Sequence, residues 1–163
     1  MGKTSLLNSF IHRRFDIDYK ATLGVNISAK SYLLNDETTV TFSMWDFGGQ
    51  KLFRNIYPQF FARSDAALIV FDVTQMDSFD EVMIWHATIT NYLKATIPIL
   101  LVGNKIDLLD ERVVPSSLAI DLAKQQDFLY IETSAKTGEN VDEAFKKLAE
   151  TFAVSYINSD KII

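Results

Sequence analysis

The chain has 163 residues, 48% of them hydrophobic and 12% aromatic, which suits one packed domain with a single core. Its net charge of −5 argues against general nucleic-acid binding, and no apolar run approaches the roughly 18 residues of a membrane-crossing helix. There is no Cys, which leaves this chain no disulfide, thiolate metal site, or prenyl or palmitoyl anchor, and a cytoplasmic setting is expected.

Residues 3–14 read as a first helix, opened by Gly2-Lys3-Thr4. Residues 26–34 and 38–47 read as two strands around the hairpin turn Asn35-Asp36-Glu37. A helix is predicted over 52–63 and an apolar strand over 66–73. Ser78-Phe79-Asp80-Glu81 has the capping-box pattern, so a helix is predicted from there to about residue 94. Residues 97–103 read as a buried strand, and Pro115 suits the first turn of a helix ending near Gln126. Residues 128–133 read as the last strand. Asn140 with Glu143 is expected to cap a final helix, where Val141, Phe145, Leu148, Phe152 and Tyr156 recur on one face. Alternating strands and helices predict an α/β fold in one domain over residues 1–163, a mostly parallel sheet with helices on both faces. Asp46, Asn104 and Ser134 each end a hydrophobic run, at the sheet edge where open α/β folds bind ligands.

Gly2-Lys3-Thr4-Ser5 matches the end of the phosphate-binding P-loop, G-x-x-x-x-G-K-[ST]. Helix N-terminal amides favour phosphate there, Lys3 would reach the β- and γ-phosphates, and Thr4 would place its hydroxyl on Mg²⁺. Alone, the tripeptide reads better as the start of a solvated helix, and it gains weight only from the segments that follow. The opening Met1-Gly2 misses the myristoylation pattern because position 6 is Leu6.

Asp46-Phe47-Gly48-Gly49-Gln50 follows an alternating strand. Asp46 would hold Mg²⁺ through a water, Gly49 would offer its N–H to the γ-phosphate, and Gln50 would orient the attacking water. The rival readings are a plain Gly-rich turn and the Asp-Phe-Gly of protein kinases. The kinase reading fails because no H-R-D-x-x-x-x-N segment precedes it.

Asn104-Lys105-Ile106-Asp107 carries the most specific chemistry. An Asp carboxylate can accept from both N1–H and the 2-amino group of guanine, and adenine lacks both donors. Asn104 would bond the base edge and brace neighbouring loops, and the Lys105 stem would cover the ring face. Ser134-Ala135-Lys136 then offers the Ala135 N–H to the guanine carbonyl oxygen. Together the four segments point to GTP or GDP with Mg²⁺.

On these segments the chain resembles the Ras superfamily of small GTPases, and the Rab family most closely. Lys3-Thr4-Ser5-Leu6-Leu7, Tyr19-Lys20-Ala21-Thr22-Leu23-Gly24-Val25, Trp45-Asp46, Phe71-Asp72-Val73-Thr74 with Ser78-Phe79, and Glu132-Thr133-Ser134-Ala135-Lys136 carry the resemblance, from Gly2 to about Phe152. It implies a three-layer P-loop NTPase fold and phosphoryl-transfer chemistry with Lys3, Thr22 and Gln50 in catalysis. It also implies that Thr22 closes on Mg²⁺ and the γ-phosphate, that Phe15 packs against guanine, and that Gly48 to about Tyr57 is the second switch. Effector, exchange-factor and activating proteins would read Thr22 to Ile27 and Gly48 to Phe61, and could bring the protein to membranes. No arginine is placed to act in cis, so unaided hydrolysis is expected to be slow.

The chain departs from the resemblance at Gly48-Gly49-Gln50, which is similar to the Arf family, at Ile27, where Rab proteins usually carry Phe, and at Phe60, where they carry Tyr. The family's first strand and first P-loop glycines would precede Met1, between the 38–47 and 66–73 strands. Neighbouring strands lie about 4.8 Å apart, so either a gap of twice that or a re-paired sheet is expected. A start set within a longer protein is the expected reason. The alternatives are a truncated product, and a segment or second chain that fills the gap. The rival function is an interaction module that keeps the fold with weak or no nucleotide binding.

Overall fold

The structure is a computed structural model that describes residues 1–15, 22, 24–36, 38–48, 60–93 and 96–160, with the backbone alone over 155–160. Five strands are described: β1 (Val25–Asn35), β2 (Thr38–Phe47), β3 (Ala67–Asp72), β4 (Ile99–Asn104) and β5 (Leu129–Thr133). The described helices are α1 (Lys3–His12), α2 (Met76–Asp80), α3 (Val82–Thr90), α4 (Ser116–Gln126) and α5 (Val141–Asp160), with a 3-10 turn at Leu109–Glu111.

β3, β4 and β5 form a parallel sheet in that order. β4 is buried along its whole length, which explains its unbroken apolar run from Ile99 to Val102. Its side chains alternate between two cores. Leu101 faces Phe79, Val82 and Ala119 from α2, α3 and α4, joined by Phe71 of β3. Leu100 and Val102 face Leu6 and Phe10 of α1 and Phe145 of α5. Helices therefore cover both faces, as the alternation of elements predicts.

β1 and β2 form a separate antiparallel sheet. Their turn is closed by the Thr38 N–H donating to Asn35 Oδ1 at 2.8 Å. No described residue of β2 pairs with β3, so among the described residues the re-paired sheet is not formed. An apolar groove of about 340 Å³ lies between the sheets, lined by Phe42 and Met44 from β2, Leu68 and Val70 from β3, and Leu6 of α1. Aromatic packing holds the two sheets together instead. Phe10 stacks on Phe145 with ring centroids 3.6 Å apart, and Phe42 of β2 meets both edge-on at 5.9 and 5.7 Å. At the other end, Trp45 packs edge-on against Phe60 at 4.7 Å, and Phe47 against Phe61 at 5.1 Å.

Several expected elements differ in detail. The helix expected over 78–94 is two, α2 and α3, with Glu81 between them. Ser78 lies inside α2 and caps nothing: its hydroxyl donates to Gln75 O at 2.7 Å and accepts the Asp72 N–H at 2.9 Å, tying α2 to the end of β3. Asn140 is left-handed (φ 57), and its side-chain amide donates to Glu132 O at 2.9 Å rather than capping α5. Pro115 sits one position before α4, in extended backbone. The helix expected over 52–63 lies largely outside the described residues, apart from its last turn at Phe60 and Phe61.

Candidate functional site

Gly2 precedes α1 with φ 81, and a Cβ there would meet the Asn104 side-chain nitrogen at 2.8 Å. Conformation and space both require glycine. Lys3, Thr4 and Ser5 make the first turn of α1, whose amides lack intrahelical acceptors in any helix. Burial holds the Lys3 ammonium below the usual lysine range, and Asp46 and Glu81 partly offset it.

Three oxygens meet beside this turn. Thr4 Oγ1 and Thr22 Oγ1 are 2.6 Å apart, Thr4 Oγ1 donates to Asp46 Oδ2, and Thr22 Oγ1 lies 3.4 Å from the same carboxylate oxygen. They come from α1, from the segment before β1, and from the end of β2. Gly48 permits the approach: a Cβ there would meet Thr22 O at 2.2 Å, and its N–H donates to Gly24 O at 2.9 Å. Among the described residues no three His, Asp or Glu side chains cluster as a metal site. The two hydroxyls and one carboxylate are instead the hard oxygen donors that suit Mg²⁺, which keeps several waters or phosphate oxygens as its other ligands. The donor set and the glycine cradle thus fit a Mg²⁺–phosphate group.

The second cluster joins the ends of β4 and β5. Asn104 is buried, and its Oδ1 accepts from the Ala135 N–H at 3.0 Å and Thr133 Oγ1 at 3.2 Å. Its Nδ2 donates to Met1 O at 3.1 Å, so one amide braces both the β5 loop and the start of α1. Asp107 Oδ1 accepts from Ser134 Oγ at 2.6 Å, and Lys136 Nζ lies 3.8 Å from Oδ2. The Ile106 N–H donates to Thr133 O at 3.2 Å. The Asn104–Asp107 and Ser134–Lys136 segments, 27 residues apart at Asp107 and Ser134, are therefore one assembly.

Lys105 takes a left-handed backbone (φ 75), and its ammonium lies 2.5 Å from Asp72 Oδ2. Sequence reasoning gave Asp72 no role. It is fully buried, and its Oδ1 accepts from the N–H and hydroxyl of Thr74 at 3.0 and 2.7 Å. Burial raises its pKa, but the Lys105 and Thr74 hydrogen bonds outweigh that and hold the carboxyl below its usual range. Phe15 follows α1 and is 39% exposed, so it is not the core residue its type suggests. Gly49 and Gln50 lie outside the described residues.

A second network was also missed. Arg112 forks onto Glu132, Nη1 to Oε1 at 2.9 Å and Nη2 to Oε2 at 2.8 Å. The two residues belong to different elements, and no spacing rule pairs them.

The sequence pattern of the Ras family matches residues 1–153. The chain is also similar to the Ras-related protein Rab-7b of Homo sapiens and of Bos taurus. Each is 40% identical over 152 residues, covering 91% of this chain and 75% of the relative. Among the described residues no helix is long and apolar enough to cross a membrane.

Proposed function

The chain belongs to the Ras family as a Rab-like small GTPase, and from that premise we propose that it is a Mg²⁺-dependent switch that binds GTP and GDP and hydrolyses GTP. The observation that carries this reading is the meeting of Thr4, Thr22 and Asp46, brought from three separate segments to one point beside a helix N-terminus.

In this reading Thr4, Thr22 and, through water, Asp46 hold Mg²⁺, which when bound neutralises charge on the β- and γ-phosphate oxygens. Lys3 and the first-turn amides of Lys3, Thr4 and Ser5, with Gly2 keeping the approach clear, face the phosphates. Partial burial of Lys3 strengthens its attraction for them. Asp107 accepts from guanine, the Ala135 N–H donates to its carbonyl oxygen, and Ser134 and Lys136 hold the Asp107 carboxylate. The Lys105 stem and Phe15 flank the ring. Gln50 orients water for in-line attack, Gly49 donates to the γ-phosphate, and Lys3 stabilises the developing charge. Loss of the γ-phosphate frees Thr22 and Gly49, so the two switch segments loosen together. Partner proteins read Thr22 to Ile27 and Gly48 to Phe61. Ile27, 62% exposed on β1, supports an apolar contact there.

A second reading, an interaction module without nucleotide, draws support from the separation of β2 from β3. Titration of the 163-residue chain with GDP, GTP and ATP, with and without Mg²⁺, separates the two. Binding of guanine nucleotides alone, strengthened by Mg²⁺, is expected. Single-turnover phosphate release should fall strongly in Gln50→Leu at unchanged affinity, because that side chain acts in the transition state. No binding of any nucleotide would leave the second reading.

A further inference from the structure

The two base-facing segments are tied near the proposed guanine site through Asn104, Ile106 and Asp107. They are tied a second time, away from it, by the Arg112–Glu132 pair. Arg112 follows the Asn104–Asp107 segment across the 3-10 turn Leu109–Glu111. Glu132 directly precedes Thr133, whose carbonyl accepts the Ile106 N–H.

The pair is only 19% and 22% exposed and is not a simple surface ion pair. Beyond the bidentate fork, Glu132 Oε1 accepts from Ser116 Oγ and from the Tyr130 hydroxyl, both at 2.7 Å. Arg112 Nη1 also donates to Ser116 Oγ at 3.0 Å and Val114 O at 3.2 Å. Both ends are anchored in turn. The Val113 and Val114 N–H groups donate to Val73 O, one residue past the end of β3, at 2.9 and 3.0 Å. The Glu132 carbonyl is held by Asn140. The other ties between the segments lie at the base end; the fork adds a rigid, directional one beyond the 3-10 turn, which restrains the angle at which Glu132 and Thr133 sit against the Arg112 segment.

We propose that Arg112 and Glu132 are positioning residues: their fork sets the angle between the Asn104–Asp107 and Ser134–Lys136 segments, and through it the lifetime of bound guanine nucleotide, without touching the base. This rests on the guanine reading above. Coupling through a packed hydrogen-bonded network of this kind is worth roughly 3- to 30-fold in affinity.

The test uses Arg112→Lys, which keeps the charge and loses the fork, Glu132→Gln, which keeps the shape and loses the charge, and the exchange of the two residues in R112E/E132R. GDP release is followed with a fluorescent GDP well below the melting temperature of each variant. Release about tenfold faster in both single variants, with partial recovery in the exchanged pair, is expected. A brace that serves stability alone would lower the melting temperature and leave release unchanged, so folded single variants within about twofold of the parent overturn the proposal. Should the parent chain bind no guanine nucleotide, the guanine reading fails separately. The clamp is then judged by hydrogen exchange at the Ala135 amide in the ligand-free chain. Faster exchange in Glu132→Gln supports it, and unchanged exchange overturns it. Tyr130→Phe, which removes one donor to Oε1, serves in place of any variant that does not fold.

Discussion

The base end and the phosphate end of the candidate site are built differently. The base end grows from β4 and β5, adjacent strands of one parallel sheet, and its segments share at least five hydrogen bonds or ion contacts across the seam. The phosphate end draws Thr4 from α1, Thr22 from the segment before β1 and Asp46 from β2, and the sheet carrying β1 and β2 shares no described strand pair with the sheet carrying β3. Backbone ladders set the first geometry; the second relies on side-chain packing between two sheets. The base end is therefore preorganised, and the phosphate end is the half that ligand or partner must complete.

The strongest way to break this comparison is Phe10→Ala. Phe10 is fully buried and stacks on Phe145, and the truncation should cost about 4 kcal/mol. Hydrogen exchange should rise across β1 and β2 while β4 and β5 stay protected, and Mg²⁺-dependent binding should suffer more than the preference for guanine over adenine. Uniform loss of protection would show that the two ends form a single cooperative unit.

Asn104→Ala removes a side chain that bonds both ends. It strands the buried Ala135 N–H, and a loss of about 3 kcal/mol in urea unfolding is expected. Asp107→Asn should leave stability nearly unchanged, since an amide oxygen can still accept from Ser134 Oγ. It should weaken GDP on the order of 2 kcal/mol and favour xanthosine diphosphate, read by competition binding. Unchanged base preference would remove Asp107 from the guanine site.

The smallest effect is that of pH. Burial raises the Glu132 pKa, but donation from Arg112, Ser116 and Tyr130 outweighs it and holds the carboxyl below its ordinary value of 4.5. The depressed folded value means that its contribution is fully present above about pH 4.5 and is lost as pH falls through the folded pKa. Acid unfolding followed by circular dichroism should lose this component in Glu132→Gln, while stability at neutral pH falls. Tyr130 adds no titration near neutrality, because burial, and then its bond to Glu132, push the phenol well above its usual range.

The base end was legible in the sequence because its chemistry is local. Asn104, Lys105 and Asp107 lie within four residues after an apolar strand, and the carboxylate–guanine match follows from donor counting. The strands were legible too, from unbroken apolar runs at β3 and β4 and alternation in β2. Thr22 was not legible from spacing. It stands in no periodic segment, and only the resemblance singled it out, yet it lies against Thr4 and Asp46. Asp72 falls inside the strand predicted over 66–73, and nothing local shows that Lys105, 33 positions on, turns back to it. The capping patterns at Ser78 and Asn140 misled for one physical reason. A short polar side chain satisfies whichever backbone group is nearest, and in both cases that group belonged to the end of a strand, not to the helix that follows.

The groove between the sheets has a practical consequence for the purified protein. β2 and β3 each pair with a described strand on one flank only, and both lie beside an apolar groove. Strand flanks of that kind template pairing between molecules, so self-association that rises with concentration is the expected outcome. Colloidal behaviour on storage, followed by light scattering against concentration, therefore reports on the same structural seam that leaves the phosphate end dependent on its ligands.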